Sequence, residues 1–195
     1  MALMKNIISP VTLALGLILL AAAPAMTATR LATAVFAGGC FWSMQHDMEH
    51  IKGVVSTDVG YAGGHVANPT YEQVSDETTG HYESIKVTYD PTKITYAQLL
   101  QKYFHTTDPT DPTGAFCDKG ASYRPVIFVA DAAERKAAEQ ARAQAQAQLK
   151  QKVVTQILPA GPFYEAEGYH QHYSDKNPER YGIYREGYRP SPTVP

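Results

Sequence analysis

The chain has 195 residues but two cysteines, Cys40 and Cys117, and one tryptophan, Trp42. Two thiols are too few for a disulfide scaffold or a four-thiolate zinc site. There is no excess charge: Lys+Arg 17 against Asp+Glu 19 gives −2, whereas a nucleic-acid binder would show a basic surplus. Neither HExxH nor CxxC is present, so no metal is expected, and His170-x-His172 reads as surface or hydrogen-bonding histidines. Apart from the N-terminus no apolar run is long, which excludes a multi-span membrane protein. What remains is a globular composition, 44% hydrophobic and 18% charged, of a length suited to a single domain.

The N-terminus has a positive Lys5, an apolar Val11–Ala23 stretch interrupted only by Thr12, and Ala23-Pro24-Ala25. These are the three parts of a secretory signal peptide, expected over 1–25. The remainder, 26–195, is expected to be one exported, periplasmic domain with its core over about 31–181.

Alternation predicts a strand at Glu83–Tyr89, an uninterrupted apolar run one at Val126–Val129, and further strands are read at Leu31–Ala37, Val54–Tyr61 and Val153–Leu158. Phe41, Met44, Met48 and Ile51 mark one face of a first helix that stops at Gly53. A Thr95/Gln98 capping box opens a second helix, and Asp131 with Glu134 a third that runs to about Lys150. Ala62–Gly80 and His105–Ser122 read as loops. The order is β-α-β-β-α-β plus an added helix-strand, which makes an α+β, ferredoxin-like two-layer sandwich with an irregular C-terminal segment over 159–195.

Cys40 follows Gly38-Gly39 and starts the first helix. Free N–H groups and partial positive charge there favour a nucleophilic thiolate. The alternative is a buried cysteine serving as a small hydrophobe. Phe41 belongs to the apolar stripe and Trp42 does not; beside a reactive thiol, both could wall a pocket. Glu83 shares a strand face with Ile85, Val87 and Tyr89, where partial desolvation favours the neutral, proton-donating acid. If the strand began one residue later, Glu83 would be an exposed edge charge.

Gly39-Cys40-Phe41-Trp42 resembles the signature of the peptide methionine sulfoxide reductase A family. Further segments resemble that family in order: Gly60-Tyr61-Ala62-Gly63-Gly64, Asn68-Pro69-Thr70-Tyr71, Gly80-His81-Tyr82-Glu83, Tyr89-Asp90-Pro91, Asp118-Lys119-Gly120, Tyr123-Arg124, Phe163-Tyr164, Ala166-Glu167, Tyr169-His170-Gln171 and Lys176-Asn177-Pro178. The resemblance implies reduction of methionine-S-sulfoxide, free or in proteins. It implies Cys40 as nucleophile and Glu83 as proton donor. Tyr61 and Tyr123 would bind the sulfoxide oxygen, Asp118 would organise the site, and Phe41 and Trp42 would hold the substrate methyl. It also implies no bound cofactor and an external, thioredoxin-like thiol reductant; a monomer is expected.

The chain departs from the pattern in four places. Ser43-Met44-Gln45 follows the signature, Cys117 stands where Asn is usual, Ser122 where Gln is, and the tail lacks a cysteine. Cys117 is thus the candidate resolving thiol, in a loop that Gly114 and Gly120 are expected to make mobile. The competing reading is a non-enzymatic periplasmic domain with Cys40 and Cys117 joined as a structural staple.

Overall fold

A computed structural model of the protein describes residues 30–187; the expected signal peptide and the last eight residues lie outside it. Strand β1 (Ala32–Ala37) leads through Gly38-Gly39 into helix α1 (Phe41–Glu49). Strand β2 (Val54–Ala62) and strand β3 (Tyr82–Tyr89) follow, then helix α3 (Tyr96–Thr106), strand β6 (Val126–Val129), helix α4 (Ala132–Gln148) and strand β7 (Gln156–Pro159). This is the expected element order. Both predicted helix starts are capped: Thr95 accepts from Gln98 N–H while Gln98 reaches back, and Asp131 accepts from Glu134 N–H.

The sheet runs β7-β6-β1-β3-β2-β8, where β8 is Phe163–Glu165. Every neighbouring pair is antiparallel except β6 and β7. The main core lies on one sheet face. Phe36, Ile85, Val87 and Ile127 point from the strands against Met44 and Met48 of α1, Leu99, Leu100 and Tyr103 of α3, and Ala138 and Ala145 of α4. Small alanines let α4 lie close at the margin of this layer, next to α3. The structure is therefore a mixed α+β fold with helices α1, α3 and α4 on one sheet face.

The loop and tail expectations need correction. Within 62–80 the chain forms a short helix α2 (Tyr71–Ser75), capped by a Thr70/Gln73 box. Within 105–122 strands β4 (Gly114–Ala115) and β5 (Asp118–Lys119) form a tight hairpin, followed by a 3-10 turn at Ala121–Tyr123. The last main strand starts at Gln156 rather than Val153, because the bonds to β6 begin with Gln156. The tail is ordered into β8, α5 (Tyr173–Lys176) and α6 (Pro178–Glu186). These elements are too short for periodicity to show, and contacts with distant parts of the chain hold them. Among the described residues no helix is long and apolar enough to cross a membrane.

Candidate active site

Gly39 has φ +103, a value a side chain would resist, and its N–H donates to Tyr123 O at 2.9 Å. This turns the chain so that Cys40 becomes the N-cap of α1, its carbonyl accepting from the Ser43 and Met44 N–H groups. The first helical N–H groups have no partner within the helix. Phe41 N–H donates to Glu83 Oε2 at 3.1 Å, and Trp42 N–H faces the Cys40 sulfur.

Glu83 is 3% exposed and lies opposite Tyr61 in the β2–β3 register. It is therefore a strand residue of the inner face, not an edge charge. Burial pushes its carboxyl up to about 8; the Phe41 N–H opposes this and the nearby Asp118 adds to it. At neutral pH Glu83 is mostly a neutral acid.

The Cys40 thiol is pushed well above its ordinary value by burial first, then by Glu83 and Asp118. The helix terminus does act through Trp42 N–H, and the neighbouring Tyr184 hydroxyl acts in the same direction, but these are the smaller effects. This corrects the expectation of a thiolate stabilised by the helix end. The resting group is a thiol, because it is buried beside two carboxyls.

Asp118, on β5, accepts from the Tyr184 hydroxyl of α6 at 2.5 Å. Burial raises its carboxyl above the usual range, against the Tyr184 bond and the Cys40 N–H. The Tyr184 hydroxyl also lies beside the Cys117 sulfur, so one oxygen stands next to both thiols while its single proton is given to Asp118. Both cysteines are free, Cys40 buried and Cys117 exposed, which does not favour the structural-staple reading.

The two expected oxygen-binding tyrosines differ. Tyr61 is fully buried and its hydroxyl donates to Glu167 Oε2 at 2.8 Å, so in this state its proton is committed. Tyr123 is influenced by Glu83, Cys40 and Asp118, which places it in the cluster, and its hydroxyl has no hydrogen-bond partner among the described residues. Burial raises both phenols, so both keep their protons.

Phe41 is buried and packs with Cys40, Val59 and Tyr61. Trp42 is half-buried and turned to the tail. It stacks on Tyr173 with centroids 3.7 Å apart and planes at 7°, and its Nε1–H donates to His170 Nδ1 at 3.0 Å. His170 is thus the hydrogen-bonding kind of histidine, 1% exposed, and its burial lowers its tendency to protonate.

Four site residues had no assigned role from sequence: Tyr71, Glu167, His170 and Tyr184. Glu167 links three segments, accepting from Tyr61 and, through Oε1, from Tyr71 N–H at 3.0 Å. Tyr71, Glu167 and His170 lie in the family-like segments, which was the signal that could have found them; Tyr184 lies outside every one. The metal-ligand groupings among the described residues centre on Glu49, at the opposite end of α1 from Cys40.

The comparisons with known proteins agree with this geometry. A family profile described as "Peptide methionine sulfoxide reductase" matches residues 32–192. Peptide methionine sulfoxide reductase MsrA 2 of Caulobacter vibrioides is 52% identical over 168 residues, 86% of this chain and 85% of its own. Methionine sulfoxide reductase A of Corynebacterium diphtheriae superposes with TM-score 0.69 at 34% identity, covering 76% of each chain. Reduced Mxr1 of Saccharomyces cerevisiae gives 0.73 at 32% identity, covering 76% of this chain and 87% of its own. With a relative of that identity across most of its length, and a profile spanning nearly the whole fold, the chain belongs to the peptide methionine sulfoxide reductase family of oxidoreductases.

Proposed function

We propose that the protein reduces the S epimer of methionine sulfoxide, free or in exported proteins, with Cys40 as nucleophile and Glu83 as acid. One observation carries this reading: a thiol and a carboxyl of raised pKa are joined through one backbone link, Phe41 N–H to Glu83 Oε2. The sulfoxide sulfur is attacked by the Cys40 sulfur. The sulfoxide oxygen gains negative charge as its bond to methionine weakens, and Glu83 donates a proton to it. Two electrons pass from the thiol to the substrate. Methionine leaves, and the oxygen ends on Cys40 as a sulfenic acid.

Substrate binding has a defined electrostatic task, because the resting thiol is disfavoured as an anion. With Glu83 neutral, one of the two carboxylate penalties on the thiolate is removed, so the acid's protonation and the nucleophile's ionisation support each other. Phe41 and Trp42 form an apolar wall for the substrate methyl. Tyr123 supplies a hydroxyl for the oxygen, and Tyr61 can do so when it exchanges Glu167 for substrate.

Recycling is proposed to run through Cys117. Its thiol attacks the sulfenic sulfur of Cys40, water leaves, and a disulfide forms that a thioredoxin-like thiol reduces. Yeast Mxr1 has been solved in complex with Trx2. The residue 1–25 signal peptide supports a periplasmic setting for this repair.

The test uses the mature chain, dithiothreitol and the two epimers of a methionine sulfoxide peptide. Turnover of the S epimer only, and its loss in Cys40→Ser, is expected, because a hydroxyl near neutral pH is a far weaker nucleophile. Appreciable turnover by Cys40→Ser would remove Cys40 from the role.

A further inference from the structure

Helix α1 carries a second cluster at the end opposite Cys40. His46, Glu49 and His50 form His-x-x-Glu-His, a spacing that zinc enzymes use on helices. Positions i, i+3 and i+4 share one helix face. One ligand atom from each of the three lies within 4.8 Å of the others.

Three details distinguish this cluster from an ordinary surface grouping. Glu49 Oε1 and His46 Nδ1 are both buried without a hydrogen-bond partner. A buried polar atom left unpaired is costly, so two in one cluster leave a place for a ligand. His50 Nδ1 lies 2.9 Å from His46 O, and a carbonyl only accepts, so Nδ1 carries the proton. The lone pair is then on Nε2, while the protonated Nδ1 is the nitrogen that stands 4.0 Å from Glu49 Oε1, so the exposed ring must turn to present Nε2 to an ion. Finally, His172 Nδ1 donates to Glu49 Oε2 at 2.9 Å, which orients the carboxylate as an outer-shell partner does and leaves Oε1 for an ion. The Glu49 side chain is 14% exposed and that of His50 is 68% exposed, so the cluster is sheltered yet open to solvent on one side.

We propose that His46, His50 and Glu49 Oε1 bind a divalent transition-metal ion of the zinc class, with the fourth position left to water. Two imidazoles and one carboxylate suit zinc and exclude the oxygen-rich preferences of calcium and magnesium. The ion would fasten α1 to His172. That residue is two positions from His170, which holds Trp42, and its own backbone sits at φ +50 with its N–H donating to Gln45 Oε1 at 2.6 Å. The site is therefore a clamp between the nucleophile's helix and the tail, separate from the reacting atoms.

The experiment titrates the mature chain carrying Cys40→Ser and Cys117→Ser with zinc chloride by calorimetry, so that thiols cannot take up the metal. Cobalt(II) absorbance of the wild-type chain is recorded alongside. One equivalent of zinc, a higher Tm, and cobalt bands of nitrogen and oxygen ligation without thiolate charge transfer are expected. His172→Ala should weaken binding about 10–100-fold, and His46→Ala and His50→Ala should weaken it further. His50→Ala is the decisive variant, since an exposed ring can be removed without disturbing the core, and its metal-free melt serves as the folding control. No stoichiometric uptake, or uptake unchanged in His46→Ala and His50→Ala, would overturn the proposal, as would a cobalt spectrum dominated by thiolate.

Discussion

Glu83 shows how one side chain serves chemistry at the expense of stability. Its carboxyl moves from the ordinary 4.5 to about 8, with burial as the main cause. In the unfolded chain it ionises near 4.5. Between these two values the folded state holds a proton that the unfolded state has lost. The residue therefore costs nothing below about pH 4.5, and stability falls as pH rises through the window, with the full loss reached above about 8. Glu83→Gln keeps the acceptor for Phe41 N–H and cannot ionise. It should raise stability at pH 7 by roughly 3 kcal/mol and remove this slope, while single-turnover reduction falls about 10²–10⁴-fold. Urea melts at pH 5 and pH 8, paired with single-turnover rates, check both halves. An unchanged rate would return Glu83 to a structural role. Period-2 counting along β3 was enough to find this residue, because the face of a strand is written in alternation. The raised thiol of Cys40 was not legible, since its main cause is burial by the folded tail and strands, and its lesser causes are the carboxyls of Glu83 and Asp118, which only the fold brings near.

At the scale of elements, the long, periodic pieces of the fold were legible and the short ones were not. Strand β3 is long enough for alternation to register and helix α3 for its cap and apolar face, while β1 and the four-residue β6 showed as apolar runs. Helix α2 uses the same Thr-x-x-Gln box as α3, but only Val74 of its five residues is buried, so no apolar face accompanied the cap. In α6 only Tyr181 is buried, and the helix is held instead by Arg185, whose Nη2 donates to both Asp47 carboxylate oxygens of α1 at 2.9 and 2.8 Å. Such long-range pairing leaves no local pattern. The tail nevertheless builds one wall of the site, through Trp42 between Tyr173 and His170. His170→Ala should open a cavity and leave Trp42 Nε1–H without its acceptor, at about 2–4 kcal/mol. Because His170 supports the wall and does not meet the reacting atoms, KM should rise more than kcat falls, and His170→Asn should recover part of the loss. Steady-state kinetics and a thermal melt of the two variants decide this. A fall in kcat alone would mean that His170 acts on the chemistry.

On the scale of the whole molecule, folding collects the site from widely separated stretches of chain, and this determines how the enzyme can be reset. Cys117 occupies the two-residue turn of the β4–β5 hairpin, beside Phe116 at φ +52. Gly114 and Gly120 were expected to loosen this loop. They do the reverse: Gly114 lets Asp118 O approach where a Cβ would clash, and Gly120 adopts φ +141 beside the Glu77 carboxyl. The hairpin is held tight, with Lys119 paired to Asp111 as a further tie. These ties favour proximity that comes from the fold over travel of the loop. The Tyr184 hydroxyl, bonded to Asp118 and facing both sulfurs, indicates that it does. One equivalent of methionine-S-sulfoxide added to the fully reduced protein should consume both free thiols, with Cys117→Ser stopping at a trapped sulfenic acid on Cys40. Burial and Asp118 raise the Cys117 thiol above its ordinary value, so disulfide formation should accelerate as pH rises above neutrality. Thiol counting with quenched samples over that pH range measures both. Wild type that retains one thiol and remains sulfenylated would show that the exposed Cys117 is a bystander, and that the external reductant attacks Cys40 directly.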